Sequence, residues 1–280
     1  MPSSERRLKA APLVHVLVQV VFPPVPHWGE RLDALKSAFY GAGFIRPGKV
    51  QVTEMQLGVP DQSVWQAEHR LIEQDRYCDK NERFALTFSD AGVVMQTSGY
   101  KSFRHLKSLM EAVLRPLEEI MQVAVVDRIG LRYVDLVQLQ VGEHFGEYVH
   151  NGLLGFPFKQ SPQLGVARVG FSTQSIGLTA VGPLAIRSAI LPPGQFLPPD
   201  LESFGLRAPE RVDAARPGLV VDFDHFSLFS GAGAQPAMAF RTEAILNHLE
   251  TLHTVVKDAF LAIATDHAIA AWGGWEEIPE

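Results

Sequence analysis

Two arginines flank a glycine in the run Arg128-Ile129-Gly130-Leu131-Arg132-Tyr133-Val134-Asp135. Side chains alternate along a strand, so Arg128, Gly130 and Arg132 share one face while Ile129, Leu131 and Tyr133 face a core. Two guanidinium groups beside a residue without a side chain form an open notch rich in donors, a geometry suited to a carboxylate or a phosphate. The same pattern also serves arginines paired with Asp or Glu on neighbouring strands or helices. Asp222 and Asp224 stand two apart in Val221-Asp222-Phe223-Asp224, hence on one face, with His225 on the other. Nucleotidyl-transfer enzymes present carboxylates to paired magnesium ions in this way. They also need a phosphate-holding Gly-Ser turn, which is missing here, so a solvent-facing or salt-bridged pair is expected and no metal ligand is assigned.

The remaining motifs carry less. Phe229-Ser230-Gly231-Ala232-Gly233 resembles a phosphate-cradling turn, but Pro236 stands where the third glycine belongs, and a flexible connector is expected. Ser98-Gly99-Tyr100-Lys101 matches Ser-x-x-Lys without the accompanying elements of acylating enzymes. His248 and His253 are five apart on a predicted helix, a poor spacing for one metal, and His253 is expected to pack or hydrogen-bond between helix and sheet. Cys78 has no feature of a nucleophile. No catalytic residue and no cofactor follows from these patterns, and the reading leans away from an enzyme.

Composition narrows the class. The chain has 280 residues, 46% hydrophobic and 20% charged, with a net charge of -6 and a mean hydropathy of +0.05. An acidic balance argues against nucleic acid, whose affinity rests on clustered Lys and Arg. Phe84 and Phe88 share a face with Leu86, which indicates core instead of a base-stacking platform. No stretch approaches the roughly 18 apolar residues of a membrane helix. The apolar run after Pro12 lacks a cleavage site and is not read as a signal peptide. A single cysteine cannot form an internal disulfide, so a reducing, cytoplasmic setting is expected.

The elements that must position these residues follow from periodicity. Leu13 to Phe22 reads as a central buried strand and residues 1–10 as loose. Trp28, Leu32, Leu35 and Phe39 recur at helical spacing. Strands are predicted at Val50–Val59, Ser63–Ile72, Arg83–Phe88 and Val93–Thr97, with turns at Pro60-Asp61 and Asp90-Ala91-Gly92. Ser102 is a plausible N-cap for a helix through Ile120 that Pro116 should kink. Val125–Gln140 reads as one long strand, then irregular structure with one short helix to Gln163. Strands at Leu164–Thr173, Ser175–Leu191 and Gly218–Phe229 precede one long helix, Thr242–Ala271. The class is α+β: a ferredoxin-like-derived, mostly antiparallel sheet with helices on one face. Residues 1–140 form its enlarged β-α-β-β-β-β-α-β half. Residues 141–280 form a β-rich half that extends or mirrors the sheet, the two making one unit.

The opening Ala11-Pro12-Leu13-Val14-His15-Val16-Leu17 strand, the Arg128–Asp135 motif, and Val221-Asp222-Phe223-Asp224 with Leu252-His253, Phe260 and Thr265-Asp266 resemble a sporadically distributed family of uncharacterised bacterial proteins. The resemblance spans roughly residues 10 to 270, departing at His15, where an acidic residue is expected, and at Asp135, where Asn is expected. It implies no activity. It does imply genes carried on mobile or defence-associated islands, and hence an accessory role.

Three functions stay open. One is a non-enzymatic binding or accessory protein that engages another protein or a small anionic ligand through Arg128, Gly130, Arg132, Asp222 and Asp224. The second is an enzyme of unrecognised type using Asp222, Asp224, Arg128 and Arg132. The third is an RNA-binding or RNA-processing ferredoxin-like module. The proline-rich stretch Leu191–Pro217 is too apolar for a solvated linker. Docking on another chain through Phe196, Leu201, Phe204, Arg207 and Arg211 is favoured, and a self-packed cover is the alternative.

Overall fold

The β-branched run after Pro12 forms a strand at the centre of a broad sheet in the computed structural model, which describes residues 6–57, 67–156, 170–201, 205–231 and 233–277. In chain order the elements are β1 (Arg6–Leu8), β2 (Leu13–Val21), α1 (Trp28–Gly41), β3 (Arg46–Leu57), β4 (Ala67–Cys78), β5 (Phe84–Ser89) and β6 (Gly92–Thr97). Then come α2 (Phe103–Glu119), β7 (Val125–Val126), β8 (Arg128–Val137), β9 (Ser172–Thr179), β10 (Gly182–Leu191) and β11 (Gly218–Leu228). The chain closes with β12 (Met238–Ala239), α3 (Thr242–Ile263), α4 (Asp266–Ala271) and β13 (Trp275–Glu277).

Nine strands form one sheet in the order β3-β4-β5-β6-β2-β8-β11-β10-β9. Each of its ladders is antiparallel. The quartet β8-β2-β6-β5 keeps the ferredoxin-like arrangement, the β3–β4 hairpin widens one edge, and β11, β10 and β9 extend the other. The second half therefore extends the sheet.

The helices cover one face. Leu35 and Phe39 of α1, Leu106, Met110 and Val113 of α2, and Ile245, Leu249 and Leu252 of α3 pack in one core with Val16, Val18, Ile129, Leu131 and Phe223 of the sheet. Ser102 caps α2 by accepting from the His105 N–H at 3.2 Å, and Pro116 lies inside its last turn. Among the described residues no helix is long and apolar enough to cross a membrane.

Several boundaries differ from the periodicity. Residues 6–8 are not loose: they pair with Trp275–Glu277, so the two ends of the described chain meet. The strand expected over Val125–Gln140 divides at Asp127, whose N–H donates to Val21 O at 2.8 Å while its carbonyl accepts from the Phe229 N–H. Val125–Val126 pairs instead with Met238–Ala239. The strand expected over Ser175–Leu191 divides into the hairpin β9–β10, which turns at Ala180-Val181. Gly182 follows that turn at φ 144°, where a Cβ would stand 2.1 Å from the Phe226 carbonyl oxygen, so only glycine fits. The last helix breaks at Ala264-Thr265, where Thr265 accepts from the Ala268 N–H at 3.0 Å and caps α4. The short helix expected before Gln163 is two 3-10 turns, Phe145–Glu147 and Asn151–Leu153. The fourth strand starts at Ala67 and continues to Cys78, beyond the expected Ile72. The turn at Pro60-Asp61 and the segment 164–169 lie outside the described residues.

The face away from the helices also needs cover, because β2, β8, β11 and β10 place Val14, Val134, Leu136, Val220 and Leu191 there. Residues 192–201 and 205–217 supply it. Leu201 is 9% exposed in that cluster, with Phe196, Leu197 and Val212 partly buried against it. Leu206 packs on Cys78 and Ala85. Polar fasteners hold the segment down. The Arg207 N–H donates to Glu82 O at 2.9 Å, its guanidinium pairs with Glu82 at 3.0 Å, and Gln138 bonds the Asp213 and Arg216 carbonyls. Phe196 and Leu201 pack on the chain's own sheet, as in the self-packed alternative, while Arg207 pairs with Glu82 and keeps an exposed side chain. Phe204 lies outside the described residues. Arg211 is exposed and makes no ion pair among them.

Leu201→Ala should cost about 2 kcal/mol or more in a urea melt of the isolated chain, the usual range for emptying a buried leucine site. A change under about 0.5 kcal/mol would mean that this leucine is not packed on its own sheet.

Candidate functional site

The arginine notch lies on the sheet face covered by the proline-rich segment. Register places Asp222 opposite Val134 and Asp224 opposite Arg132, so the two aspartates join the notch as alternation requires. The space between them is a cavity of about 130 Å³ lined by Leu17, Gln19, Val94, Arg128, Gly130, Arg132 and Asp224. Its donors are already engaged. Arg132 meets Asp222 through two bonds of 2.7 Å and Asp200 of the covering segment through bonds of 2.7 and 3.1 Å. Burial works against the Arg132 charge, but hydrogen bonds to Asp222 and Asp200 outweigh it and hold its pKa above the ordinary arginine value. Arg187 reaches Asp222 at 3.0 Å and Asp224 at 3.6 Å. Arg128 bonds Gln19 and lies 4.5 Å from the centre of the Phe226 ring. Arg132 and Arg187 thus form an ion network with Asp200, Asp222 and Asp224, while Arg128 is held by Gln19 and the Phe226 ring.

His15 sits on the same face, 2% exposed, with Nε2 2.9 Å from Gln96 Oε1. Burial, helped by Arg132 and partly offset by the Gln96 hydrogen bond, pulls its pKa down to about 4, so the ring is neutral at pH 7. The chain thus holds an uncharged imidazole here, and Asp200 and Asp222 neutralise Arg132.

The other face of β8 carries a residue that motif reading passed over as a site. Asp135 shares the parity of Tyr133 and points to the helix side, opposite Leu13. One step on, β2 bulges between Leu13 and His15. Asp135 is 5% exposed and has no hydrogen-bond or ion-pair partner among the described residues. Burial pushes its carboxyl up to about 7; Arg211 draws it down and Asp222 adds to the rise. A buried carboxyl without a bonded partner is costly and calls for an explanation.

That carboxyl lines a cavity of about 140 Å³ with Tyr100, Tyr133, Phe223, His253, Phe260 and Trp275. Tyr133 Oη lies 2.9 Å from His253 Nδ1, and Phe103 stacks on the imidazole at 4.1 Å. This is the helix–sheet position expected for His253. Burial, more than the nearby Lys257, pulls His253 down to about 4. Arg7, Lys101 and Lys257 complete the lining. A groove of about 470 Å³ adjoins it, sharing Arg7, Leu13, Tyr100 and Lys101 and adding Lys9 and Arg211. Arg7 pairs with Glu276 at 2.6 Å. Lys9, Lys101, Arg211 and Lys257 are exposed and make no ion pair among the described residues.

Other candidates are structural. Cys78 is buried and accepts from Arg76 at 2.6 Å, with burial raising its pKa. Ser98 donates to Arg207 O at 2.5 Å. His225 faces the helices and lies 2.9 Å from Thr179 Oγ1, and His248 bonds Ser227 at 2.7 Å. Gly231 and Gly233 both take positive φ in a connector. Among the described residues no three His, Cys, Asp or Glu side chains gather to hold a metal. Comparison with family models, curated proteins and solved structures finds no match.

Two measurements test this division of labour. Asp222→Ala leaves the buried Arg132 with Asp200 alone and takes from Arg187 its nearer carboxylate, and should destabilise by about 3 kcal/mol, whereas Asp224→Ala, losing only a long and partly exposed contact, should cost under about 1 kcal/mol. Equal effects would contradict the network described.

Asp135→Asn should stabilise the chain in a pH-dependent way. The folded carboxyl keeps its proton up to about pH 7 while the unfolded one loses it near 4. Its penalty is therefore absent below pH 4, grows as pH rises to 7 and is constant above. The gain from Asn, measured by urea melts, should be larger at pH 8 than at pH 4.5 by on the order of 2–4 kcal/mol. The charged or titratable groups around this position, Arg7, Lys101, Arg211, Asp222, His253 and Lys257, are the same in both proteins. A pH-independent difference would contradict the raised carboxyl.

Proposed function

We propose that this chain is a non-enzymatic binding protein for a small amphipathic anion, taken up by the cavity and groove around Asp135 and not by the arginine notch. One observation carries the reading. In a chain of net charge -6, four exposed cations without ion pairs among the described residues border an aromatic-lined cavity (Lys101 and Lys257) and the groove that adjoins it (Lys9, Lys101 and Arg211). Ligand pockets are mostly apolar with a few convergent polar groups, and unpaired cations at a rim attract and orient an anion. An accessory role beside another protein is compatible with this reading and belongs to the same proposal. The enzyme alternative loses support because Asp222 and Asp224 are neutralised by Arg132 and Arg187.

Phenyl phosphate, one apolar ring with one anionic group, is the simplest probe. In calorimetry it should bind at least about tenfold tighter than phenol, a difference of roughly 1.4 kcal/mol. Lys101→Glu should remove that advantage and Arg128→Ala should leave it intact. No binding, or an advantage lost only in Arg128→Ala, would overturn the proposal.

A further inference from the structure

Resting on that reading, we infer that the ligand's ring is a nitrogen heterocycle with an N–H donor that Asp135 reads, joined to an anionic tail that the groove holds, as in a pyrimidine nucleotide.

Size sets the first limit. A cavity of about 140 Å³ is comparable to engineered apolar cavities of roughly 150 Å³ that accept a single benzene ring. Its walls suit a flat ring, since Tyr100 and Tyr133 meet edge to face at 5.7 Å and Phe223 and Phe260 do so at 6.4 Å. A purely apolar ring would fill the space and leave the Asp135 carboxyl unbonded, at the full cost of a buried polar group.

Chemistry sets the second limit. A carboxylate accepts hydrogen bonds, and a carboxylic acid both donates one and accepts one. Either form complements a ring edge that carries an N–H, with a carbonyl or ring nitrogen beside it when the acid is protonated. The raised carboxyl makes both forms available near neutral pH. Such a site discriminates strongly against an analogue that lacks the donor, because the buried partner is then left unpaired. The third limit is charge. Lys9, Lys101 and Arg211 lie in a groove that adjoins the cavity, within reach of a tail attached to a ring inside it. Phosphate and carboxylate both satisfy such cations.

Calorimetry on the full chain with uridine 5′-monophosphate, its N3-methyl analogue and phenyl phosphate separates the inference from the reading beneath it. The nucleotide should bind at least tenfold tighter than both others, and Asp135→Leu should bring all three to the level of phenyl phosphate. Equal affinity of the nucleotide and its N3-methyl analogue overturns the inference, whatever the folding of Asp135→Leu, while phenyl phosphate binding leaves the anion reading standing. Failure of all three ligands to bind overturns both.

Discussion

A guanidinium buried on a sheet face must be met by carboxylates, and Arg132 is met twice, by Asp222 from the neighbouring strand and by Asp200 from the covering segment. The first contact fixes the pairing of β8 with β11 chemically, since a one-residue slip would turn Asp222 to the helix side. The second ties residues 192–217 to a sheet whose apolar residues on that face would otherwise meet water. Leu201 lies one residue from Asp200, so the ion pair and the hydrophobic cluster place each other. Buried ion pairs contribute little net stability, but losing one partner is expensive. The network therefore acts more as a constraint on register and cover than as a source of free energy.

The same strand divides the molecule's polar groups into two kinds. On the covered face charges meet within the chain, Arg132 and Arg187 against Asp200, Asp222 and Asp224, with Asp224 also drawing on the nearby Arg128. On the helix side Asp135 faces aromatic walls without a bonded partner among the described residues, and exposed cations stand around it without anions of their own. A fold that leaves a buried carboxyl unbonded gives up stability at that point. Such concessions gather where a protein binds something. The β1–β13 ladder adds Arg7 and Trp275 to the cavity lining, so both ends of the described chain help build the site.

Much of this architecture was legible in the sequence. The alternation of Ile129, Leu131 and Tyr133 against Arg128, Gly130 and Arg132 gave the correct faces, and the parity of Asp222 and Asp224 placed them beside the arginines. What alternation cannot reveal is occupancy. Asp200 lies 68 residues from Arg132, in a stretch without period, so an open notch and a closed ion network looked the same. The apolar residues of the proline-rich stretch posed a similar ambiguity, because side chains that bury on a partner or on their own sheet have one composition. Asp135 closed the Arg128–Asp135 motif without a role of its own. Its parity with Tyr133 was the available signal that it faces the core, where a carboxyl stands out. The cavity itself depends on Tyr100, His253 and Trp275, which come from three distant parts of the chain and share no motif. The break at Ala264-Thr265 was hidden because the apolar spacing runs through it.

Amide hydrogen exchange of the full chain with and without saturating phenyl phosphate tests the central claim, that ligand is held on the helix side of β8 while the arginine face is structural. The account predicts slowed exchange at Arg7–Leu13, around Tyr100, and across His253–Phe260, with the segment 205–217 slowed only near Arg211 and the Arg128–Gly130 amides unchanged. Protection centred instead on Gln19, Arg128 and the 192–201 stretch would place the ligand in the notch and contradict the account.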